Sequence, residues 1–361
     1  MTPLEAELKR LIAIDGPMPL AQYMARCLTD PVHGYYVTRD PFGAAGDFTT
    51  APEISQMFGE LIGLWTASVW LKLGAPDRVH LVELGPGRGT LMADALRAAG
   101  VVPGFAAAAR IDLVETSPLL RQRQKTTLET FADRIAWHQH FAEISGAPLI
   151  VIANEFFDAL PVHQTRRTPD GWHERMVGLD RDGQLTLALH PEPLPGFEAT
   201  LPPSLRRAPL GAVREWRSDE LTVEIAQRLV HGRGAALIID YGEVESGFGD
   251  TLQAVGRHRH ASVLERPGEV DLTAHVDFAA LGRAAARAGA RVCGPLTQGT
   301  FLMRLGINER ALSLKAASPT RAADIDAGLA RLTASGADGM GDLFKVIAIA
   351  DQRLGALAGL D

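Results

Sequence analysis

The stretch VHLVELGPGRGTL, residues Val79 to Leu91, decides the fold of this 361-residue chain. A short apolar run, Val79 to Leu84, leads directly into a segment with three glycines, and a helix-forming stretch, Thr90 to Ala99, follows. An apolar strand, a glycine turn and a helix in this order are the opening unit of a nucleotide-binding α/β sheet. Glycine is needed in such a turn because the chain bends sharply and a ligand approaches the backbone closely.

The spacing of the glycines and a nearby carboxylate indicate which ligand the turn binds. Gly85, Gly87 and Gly89 form the pattern GxGxG, whereas dinucleotide-binding folds carry GxGxxG. Glu83 places a carboxylate at the carboxyl end of the strand, where open α/β sheets bind ligands. These features favour S-adenosyl-L-methionine, whose positive sulfonium suits an acidic strand end and which carries no pyrophosphate. On the motif alone, a methyltransferase and another nucleotide-binding fold stay equally open. Glycines that serve only a tight turn are a further, minor alternative.

Later apolar runs predict further strands and place polar residues at their ends. The run RIDLVE predicts a second strand that ends in Glu115, at the position where an acidic residue binds ribose hydroxyls. The run LIVIA predicts another buried strand, which Asn154, Glu155 and Asp158 follow. Capping of a helix by Asn154 or Asp158 is the alternative explanation. Several polar strand ends that meet at one edge of a sheet favour a ligand site.

The predicted fold class is α/β, with a Rossmann-like, mostly parallel sheet. One late antiparallel strand (345–350), an N-terminal helical segment and an inserted α+β subdomain complete it. The predicted domain organisation is N-terminal helices with an active-site loop (1–73), the first part of the cofactor-binding core (74–161), an inserted substrate-side subdomain (162–234) and the second part of the core with a long loop and late strand (235–361).

Two segments show no regular hydrophobic period. Residues 30–53 are aromatic and glycine-rich, and we expect them to close over the site as a lid, with a rigid packed loop as the alternative. Residues 247–276 are expected to be irregular, and they carry His258, His260 and His275. The spacing of these histidines matches no metal-ligand pattern, so we expect loop or substrate-facing histidines and no metal site.

Charge and composition exclude several classes of function. The chain has 36 Lys and Arg against 43 Asp and Glu, a net charge of −7. This charge argues against non-specific binding to nucleic acid or anionic membranes and suits a basic partner peptide. No apolar run approaches the roughly 18 residues of a membrane-spanning helix, so no membrane insertion is expected. Two widely separated cysteines, Cys27 and Cys293, and the lack of an apolar leader predict a reduced cytoplasmic compartment.

The sequence resembles the MidA-like family of class I S-adenosylmethionine-dependent methyltransferases over nearly its whole length. The segments that carry the resemblance are HGYYVTRDPFGAAGDFTTAPEISQMFGEL (33–61), VELGPGRGTLMADALR (82–97), IANEFFDALPVHQ (152–164), LIIDYG (237–242), GDTLQAV (249–255), DLTAHVDF (271–278) and MGDLFKVIAIA (340–350). That family includes the mitochondrial arginine methyltransferase that assists assembly of respiratory complex I. For a bacterial, cytoplasmic member, the resemblance implies a protein substrate such as the large hydrophilic subunit of the respiratory NADH dehydrogenase.

Arginine methylation requires carboxylates, because the guanidinium and the sulfonium of the methyl donor are both cationic. Glu155 is predicted to clamp the guanidinium, with Asp158 and, from the long early segment, Asp47 as further candidates. The predicted cofactor site consists of Glu83, Gly85, Gly87, Gly89, Glu115 and Asn154. The alternatives are a methyltransferase that acts on a small molecule or another side chain, and a non-catalytic assembly factor that keeps the fold. The oligomeric state is not indicated.

Overall fold

The computed structural model describes residues 1–41, 49–256, 259–336 and 339–360. These residues form two compact units, each assembled from segments that are distant in the sequence. The first unit comprises Met1–Pro41, Asp158–Ser218 and Glu245–Asp277. The second comprises the described residues of Phe42–Phe157, Asp219–Val244 and Phe278–Asp361. The four-part division predicted from the sequence stays a prediction.

The chain contains both runs of strands and runs of helices. In chain order the strands are β1 (Met18–Pro19), β2 (Val79–Leu84), β3 (Ala109–Val114), β4 (Ile135–His138), β5 (Leu149–Asn154), β6 (His163–Thr168), β7 (Gly171–Leu179), β8 (Leu185–Leu189), β9 (Val213–Trp216), β10 (Gly234–Glu243), β11 (Gln253–Gly256), β12 (Arg259–Ala261), β13 (Asp271–Thr273), β14 (Val276–Asp277), β15 (Arg291–Thr297) and β16 (Phe344–Ala350). The helices are α1 (Pro3–Asp15), α2 (Leu20–Thr29), α3 (Tyr35–Thr38), α4 (Ala51–Ile54), α5 (Gln56–Lys72), α6 (Thr90–Ala99), α7 (Phe105–Ala108), α8 (Pro118–Thr127), α9 (Phe197–Thr200), α10 (Glu220–Gly232), α11 (Phe278–Arg287), α12 (Gln298–Arg304), α13 (Ile307–Ala317) and α14 (Ala322–Thr333).

The second unit is built on a mostly parallel sheet, as the sequence predicts. Its described strands lie in the order β15-β16-β10-β5-β2-β3-β4. The strands from β10 to β4 run parallel to their neighbours, whereas β16 is antiparallel to both β10 and β15. The chain leaves β2 toward β3 on one side and returns to β5 on the other. A crevice for a ligand forms at the carboxyl end of the strands where the order reverses in this way.

The register of the parallel strands brings their carboxyl ends to one edge of the sheet. Leu84 of β2 lies beside Val114 of β3 and Ala153 of β5, and Ala153 lies beside Ile238 of β10. The residues that directly follow these positions therefore leave the sheet at the same level. This alignment places Glu83, Glu115, Asn154 and Glu155 at one edge of the sheet, as expected, whereas Asp158 belongs to the first unit.

Short-range sequence signals fix the elements around that edge. The run Val79–Leu84 is buried throughout, as is typical of a parallel strand covered on both faces. Helix α8 begins with Pro118, and the Ser117 hydroxyl accepts a hydrogen bond from the Leu120 amide at 3.3 Å, so the helix has both an N-cap and a first-turn proline.

The first unit is mainly antiparallel. Strands β1, β7, β6 and β9 form one sheet in that order with β8 beside β7, and β12, β11 and β13 form a second sheet. Helix α1 packs on β7, and α2 packs on β6, β7 and β13. The antiparallel pair β7 and β8 lies within the segment 162–234 that the sequence predicts as an inserted subdomain. The expectation of an irregular 247–276 segment was wrong, because strands as short as β11 to β13 are too short to show an alternating pattern.

A close approach of α5 and α6 fixes the helical layer of the second unit. A Cβ atom added to Gly63 of α5 would lie 2.2 Å from the backbone oxygen and 2.5 Å from the Cα of Ala95 in α6. These contacts involve backbone atoms that cannot rotate away. Glu60, one turn earlier on α5, is buried and accepts hydrogen bonds from Arg97 of α6 at 2.6 Å and from Arg310 of α13 at 2.6 and 2.9 Å.

We predict that Gly63→Ala destabilises the protein by about 2 kcal/mol, because the two helices must move apart to admit a methyl group. The sign is opposite to helix propensity, which favours alanine over glycine by about 1 kcal/mol. The free energy of unfolding measured by denaturant titration tests this. Gly355→Ala is the matched control, since no atom lies within 4 Å of a Cβ built there. Equal stability of the two variants would contradict the prediction.

Candidate active site

The glycine turn after β2 has a backbone conformation that other residues rarely adopt. Gly85, Gly87 and Gly89 have φ angles of +62°, +53° and +84°. The Gly85 amide donates to the Val114 carbonyl at 3.0 Å, and the Gly89 amide donates to the Pro86 carbonyl at 2.7 Å. The turn is therefore fastened to β3 and folded on itself. Side chains would be strained at all three glycines, which explains the GxGxG spacing.

Glu83 supplies a buried carboxyl group below this turn. Its side chain is 3% exposed, and burial raises its pKa to about 8. Among the described residues, no group donates a hydrogen bond to its Oε2 atom. A buried acceptor without a donor is rare in native proteins and commonly marks the place of a ligand. A cationic ligand fits this carboxylate best, because it would stabilise the ionised form.

Asn154, the last residue of β5, carries a second buried acceptor that lacks a donor. In the part of the chain that the structure describes, its Oδ1 atom has no hydrogen-bond partner. Its Nδ2 atom donates to Glu155 Oε1 at 3.2 Å. The ammonium group and the sulfonium of S-adenosyl-L-methionine are both cationic, so the two unsatisfied oxygens, Asn154 Oδ1 and Glu83 Oε2, fit the chemistry of that cofactor.

Glu115 lies at the end of β3 within a hydrogen-bonded network. Its Oε1 accepts from the Ser117 amide at 2.8 Å, and its Oε2 accepts from Gln124 Nε2 at 3.2 Å. Burial raises the pKa of Glu115, and these hydrogen bonds act in the opposite direction. Each carboxylate oxygen can accept two hydrogen bonds, so both oxygens keep capacity for the ribose hydroxyls that the sequence predicts here.

Gln124 links the glycine turn to Glu115, a connection that the sequence did not indicate. Its side-chain amide is fully buried on α8 and donates to the Gly87 carbonyl at 2.8 Å as well as to Glu115. Its Oε1 accepts from Trp137 Nε1 at 2.9 Å. The side chain thus ties the glycine turn to the carboxylate at the end of β3. No local motif signals this role, because the Gly87 carbonyl that Gln124 binds is 37 residues away in the sequence.

Glu155 stands at the point where the chain leaves β5, in a left-handed conformation with φ of +50°. Its amide donates to the Ile239 carbonyl at 2.9 Å, which extends the ladder between β5 and β10 by one bond. Its Oε1 accepts from the Ala51 amide at 3.0 Å as well as from Asn154. A left-handed residue other than glycine costs about 1–3 kcal/mol and is characteristic of functional sites.

The turn that follows Glu155 is held by a buried carboxylate on β10. Asp240 is fully buried, and its Oδ2 accepts from the amides of Phe156 at 3.1 Å and Phe157 at 2.9 Å. Its Oδ1 accepts from the Tyr241 amide at 2.9 Å. This carboxylate was not predicted as a site residue, although it lies in the LIIDYG segment.

The turn carrying Glu155 also touches the glycine turn. A Cβ atom added to Gly85 would lie 2.7 Å from Cδ2 of the Phe156 ring. The ring therefore occupies the space that a side chain at position 85 would need. This contact places the loop after β5 directly beside the predicted cofactor turn.

The described part of the early aromatic segment also reaches the glycine turn. Glu53 accepts a hydrogen bond from the Thr90 hydroxyl at 2.6 Å, and its other oxygen lies 3.8 Å from Arg88 Nη1. Asp47, a predicted guanidinium ligand, lies outside the described residues. The lid predicted for residues 30–53 stays a prediction.

Asp158, the second predicted guanidinium ligand, belongs to the first unit. It is buried, and its backbone carbonyl accepts from the Ala274 amide and from Arg217 Nη2, both at 3.1 Å. Nearby in the same unit, the Tyr36 hydroxyl donates to Asp271 Oδ1 at 2.8 Å. Burial raises the pKa of the Tyr36 hydroxyl, and the charges of Asp271 and Asp158 add to that effect. The first unit therefore carries two buried carboxylates around one tyrosine.

The histidines of the 247–276 segment are dispersed. His260 is exposed on β12, and the amide of His275 donates to the Thr251 hydroxyl at 2.9 Å. His258 lies outside the described residues. Within the described ranges, no group of three or more His, Cys, Asp or Glu side chains could hold a metal ion. The same residues include no helix long and apolar enough to cross a membrane.

A glycine turn beside a buried carboxyl group, at the edge of a mostly parallel sheet, is typical of one class of proteins, the cofactor-dependent methyltransferases. The profile of a family described as "Putative S-adenosyl-L-methionine-dependent methyltransferase" matches residues 61–296 of this chain. The chain therefore belongs to this family. It is an S-adenosyl-L-methionine-dependent methyltransferase, and the resemblance seen in the sequence is confirmed.

Several relatives share most of their length with this chain. "Protein arginine methyltransferase NDUFAF7, mitochondrial" of Danio rerio is 38% identical, over 83% of this chain and 75% of the relative. The Homo sapiens protein of the same name is 37% identical, over 86% of this chain and 75% of the relative. The Drosophila melanogaster homolog is 36% identical, over 96% and 84% respectively.

A solved structure supports the cofactor assignment. A "likely methyl transferase" of Burkholderia thailandensis, bound to S-adenosyl-homocysteine, is 29% identical with a TM-score of 0.85. The match covers 99% of this chain and 93% of that one. S-adenosyl-homocysteine is what remains of S-adenosyl-L-methionine after its methyl group has left.

We predict that Gly85→Ala weakens binding of S-adenosyl-L-methionine by about tenfold or more. The added methyl group collides with the Phe156 ring and occupies a left-handed position, so the turn must shift. Titration calorimetry measures the affinity. Gly183→Ala is the matched control, since Gly183 has φ of +71° and no atom within 4 Å of an added Cβ. Undiminished affinity in Gly85→Ala would contradict a role of this turn in binding.

A second prediction follows from the raised pKa of Glu83, which is about 8. Below that pH the free protein holds a proton on Glu83, and a cationic cofactor must displace it. Affinity should therefore fall as the pH drops below 8, by up to about tenfold per pH unit. Calorimetry between pH 6 and 9 tests this. In Glu83→Gln the affinity should be lower at pH 8, and this component of the pH dependence should disappear.

The raised pKa of Glu83 also affects the stability of the protein, and stability should depend on pH in the opposite direction to cofactor affinity. The folded state binds the Glu83 proton more tightly than the unfolded state, so the cofactor-free protein should lose stability as the pH rises from about 4.5 to about 8. At pH 8, Glu83→Gln should therefore be more stable than the natural protein without cofactor. A Glu83→Gln variant that binds the cofactor normally at every pH would exclude Glu83 from the site.

Proposed function

We propose that this enzyme methylates an arginine side chain of a protein substrate. The observation that carries the proposal is the Glu155 carboxylate at the edge of the sheet, on a turn that contacts the glycine turn through Phe156 and Gly85. The names of the NDUFAF7 relatives, which are called protein arginine methyltransferases, support the choice of acceptor. Glu155, with Asp158 and Asp47 as further candidates, is proposed to hold the guanidinium.

The cofactor site is proposed to consist of Glu83, Asn154 and Glu115 around the turn of Gly85, Gly87 and Gly89. Glu83 and Asn154 offer buried acceptors to the cationic groups of the cofactor. Glu115 offers its remaining acceptor capacity to the ribose hydroxyls. When bound, S-adenosyl-L-methionine supplies an electrophilic methyl group on a positively charged sulfur.

The role of Glu155 follows from the charges of the two reactants. A guanidinium has a pKa above about 12, so the acceptor arrives as a cation and is repelled by the sulfonium. A carboxylate offsets this repulsion and aligns one nitrogen through charge-assisted hydrogen bonds. In the transfer, a carbon–nitrogen bond forms, the carbon–sulfur bond breaks, and one proton leaves the nitrogen. Glu155 is proposed to accept that proton, and alignment supplies much of the rate acceleration.

The substrate is proposed to be the large hydrophilic subunit of the respiratory NADH dehydrogenase, and the compartment to be the bacterial cytoplasm. The net charge of −7 supports a basic protein segment as the partner rather than nucleic acid or an anionic membrane. The NDUFAF7 relatives are named as mitochondrial proteins. Mitochondria are the organelle that contains the corresponding dehydrogenase in eukaryotes.

We predict that Glu155→Gln lowers the rate of methyl transfer by about 100-fold, because one preorganised charge is lost at the reacting centre. Binding of S-adenosyl-L-methionine should change by less than about threefold, since the shape of the side chain is kept. Glu129→Gln, at an exposed glutamate, is the control. The measurement is mass spectrometry of the dehydrogenase subunit from cells that contain the natural gene, either variant or no gene.

The outcomes separate the parts of the proposal. A mass gain on an arginine that requires the natural gene and is nearly lost with Glu155→Gln supports both substrate and clamp. Subunit arginines that are unmodified in every strain would reject this substrate. Methylation that is unaffected by Glu155→Gln would transfer the clamp to Asp158 or Asp47. A methylated small molecule or a different modified side chain would reject arginine as the acceptor.

A further inference from the structure

We infer that Asp240 is a positioning residue for methyl transfer, because its buried carboxylate fixes the turn that aims Glu155. The inference rests on the proposed function of Glu155 as the group that holds the acceptor. Asp240 lies on β10, the strand beside β5, and it is more than 80 residues away from Glu155 in the sequence.

The hydrogen bonds of Asp240 converge on the residues that follow Glu155. One oxygen, Oδ2, accepts from two successive amides, those of Phe156 at 3.1 Å and Phe157 at 2.9 Å. The other oxygen, Oδ1, accepts from the Tyr241 amide at 2.9 Å. A carboxylate that receives several backbone amides binds them more strongly than a neutral acceptor would, because the bonds are charge-assisted. The side chain is 0% exposed, so water does not compete for these bonds.

The turn needs such an acceptor because the strand ladder ends at Glu155. The Glu155 amide makes a ladder bond to Ile239, and the chain then turns through the left-handed conformation of Glu155. Among the described residues, the next two amides, those of Phe156 and Phe157, therefore make no hydrogen bond to the neighbouring strand's backbone and bond to Asp240 instead. A buried amide without an acceptor is strongly disfavoured. Asp240 supplies the acceptor from the neighbouring strand and so stabilises the left-handed turn.

The direction of the Glu155 side chain depends on this turn. With the backbone of Glu155 at its left-handed φ of +50°, Glu155 Oε1 accepts from the Ala51 amide at 3.0 Å. A relaxed turn would rotate the carboxylate and move the Phe156 ring that contacts Gly85. A displacement of about 1 Å in a reacting geometry can lower a rate by about 100-fold. Asp240 therefore affects the reaction indirectly, because it orients Glu155. It does not need to contact the reactants.

The test compares Asp240→Asn with Asp351→Asn. Asparagine keeps the size of the side chain but replaces one acceptor oxygen by a donor, so at least one set of amide bonds is lost. Asp351 is a matched control, because its side chain is 2% exposed and its Oδ1 accepts a hydrogen bond from the Arg353 amide at 3.2 Å. It lies at the opposite end of β10, where its own amide donates to the Gly234 carbonyl at 3.0 Å.

The first readout is hydrogen exchange of the Phe156 and Phe157 amides, which needs no substrate. We expect slow exchange in the natural protein and in Asp351→Asn, and exchange at least about tenfold faster in Asp240→Asn. If the two amides of the natural protein exchange as fast as exposed amides, the inference is overturned, even if Asp240→Asn does not fold. Unchanged protection in a folded Asp240→Asn variant would also overturn it.

The second readout is catalysis in a double-mutant cycle with Glu155→Gln. We expect Asp240→Asn to lower kcat by on the order of 100-fold with cofactor affinity nearly unchanged. In the Glu155→Gln background, the same substitution should lower kcat by less than about threefold more. A purely structural role would lower the folded fraction in both backgrounds equally, so additive losses would reject positioning. If the natural enzyme methylates no protein, the proposed function fails. Faster hydrogen exchange of the Phe156 and Phe157 amides in Asp240→Asn would still show that Asp240 stabilises the turn.

Discussion

Carboxyl groups buried at the carboxyl ends of parallel strands are the constraint on which the site depends. Ionised carboxylates lose their hydration when buried, and the three at this edge compensate to different degrees. Asp240 accepts three backbone amides, and Glu115 accepts one amide and one side-chain donor. Glu83 has an oxygen without a donor among the described residues, and its pKa of about 8 corresponds to roughly 3 kcal/mol of lost stability at pH 7. A cationic cofactor can recover this free energy on binding, so the deficit favours occupancy.

Carboxylates away from this edge follow the opposite rule. Burial raises the pKa of Glu60, but hydrogen bonds from Arg310 and Arg97 outweigh this and leave the pKa below its usual value. Glu60 therefore stabilises the helical layer above a pH of about 4.5, the ordinary pKa of a glutamate, and that contribution is lost as the pH falls further. The buried charge of Glu60 has two cationic partners and contributes to stability, whereas Glu83 has an oxygen without a donor among the described residues. The contrast between Glu60 and Glu83 lies within one unit.

The sequence predicted the parts of this site that depend on neighbours along the chain. Strand β2 and helix α6 have the predicted bounds, because an apolar run and a glycine turn are local signals. Glu83, Glu115 and Glu155 lie at the predicted edge for the same reason: Glu83 is the last residue but one of a buried strand, and Glu115 and Glu155 directly follow one. Gln124 and Asp240 were missed because their roles arise from partners 37 and 83 or more residues away. The short strands β11 to β13 and the grouping into two units likewise depend on long-range contacts that no local pattern encodes.

The contact between Gly85 and Phe156 also constrains how this enzyme can change over time. The ring of Phe156 fills the volume beside Gly85, so the two positions share one space although they belong to different turns. A side chain can be accommodated at position 85 only if the residue at position 156 becomes smaller. A side chain at position 85 is therefore expected only in sequences that carry a smaller residue at position 156, and the φ of +62° at position 85 keeps that exchange rare. The turn that follows β2 and the loop that follows β5 are thus expected to evolve as a pair.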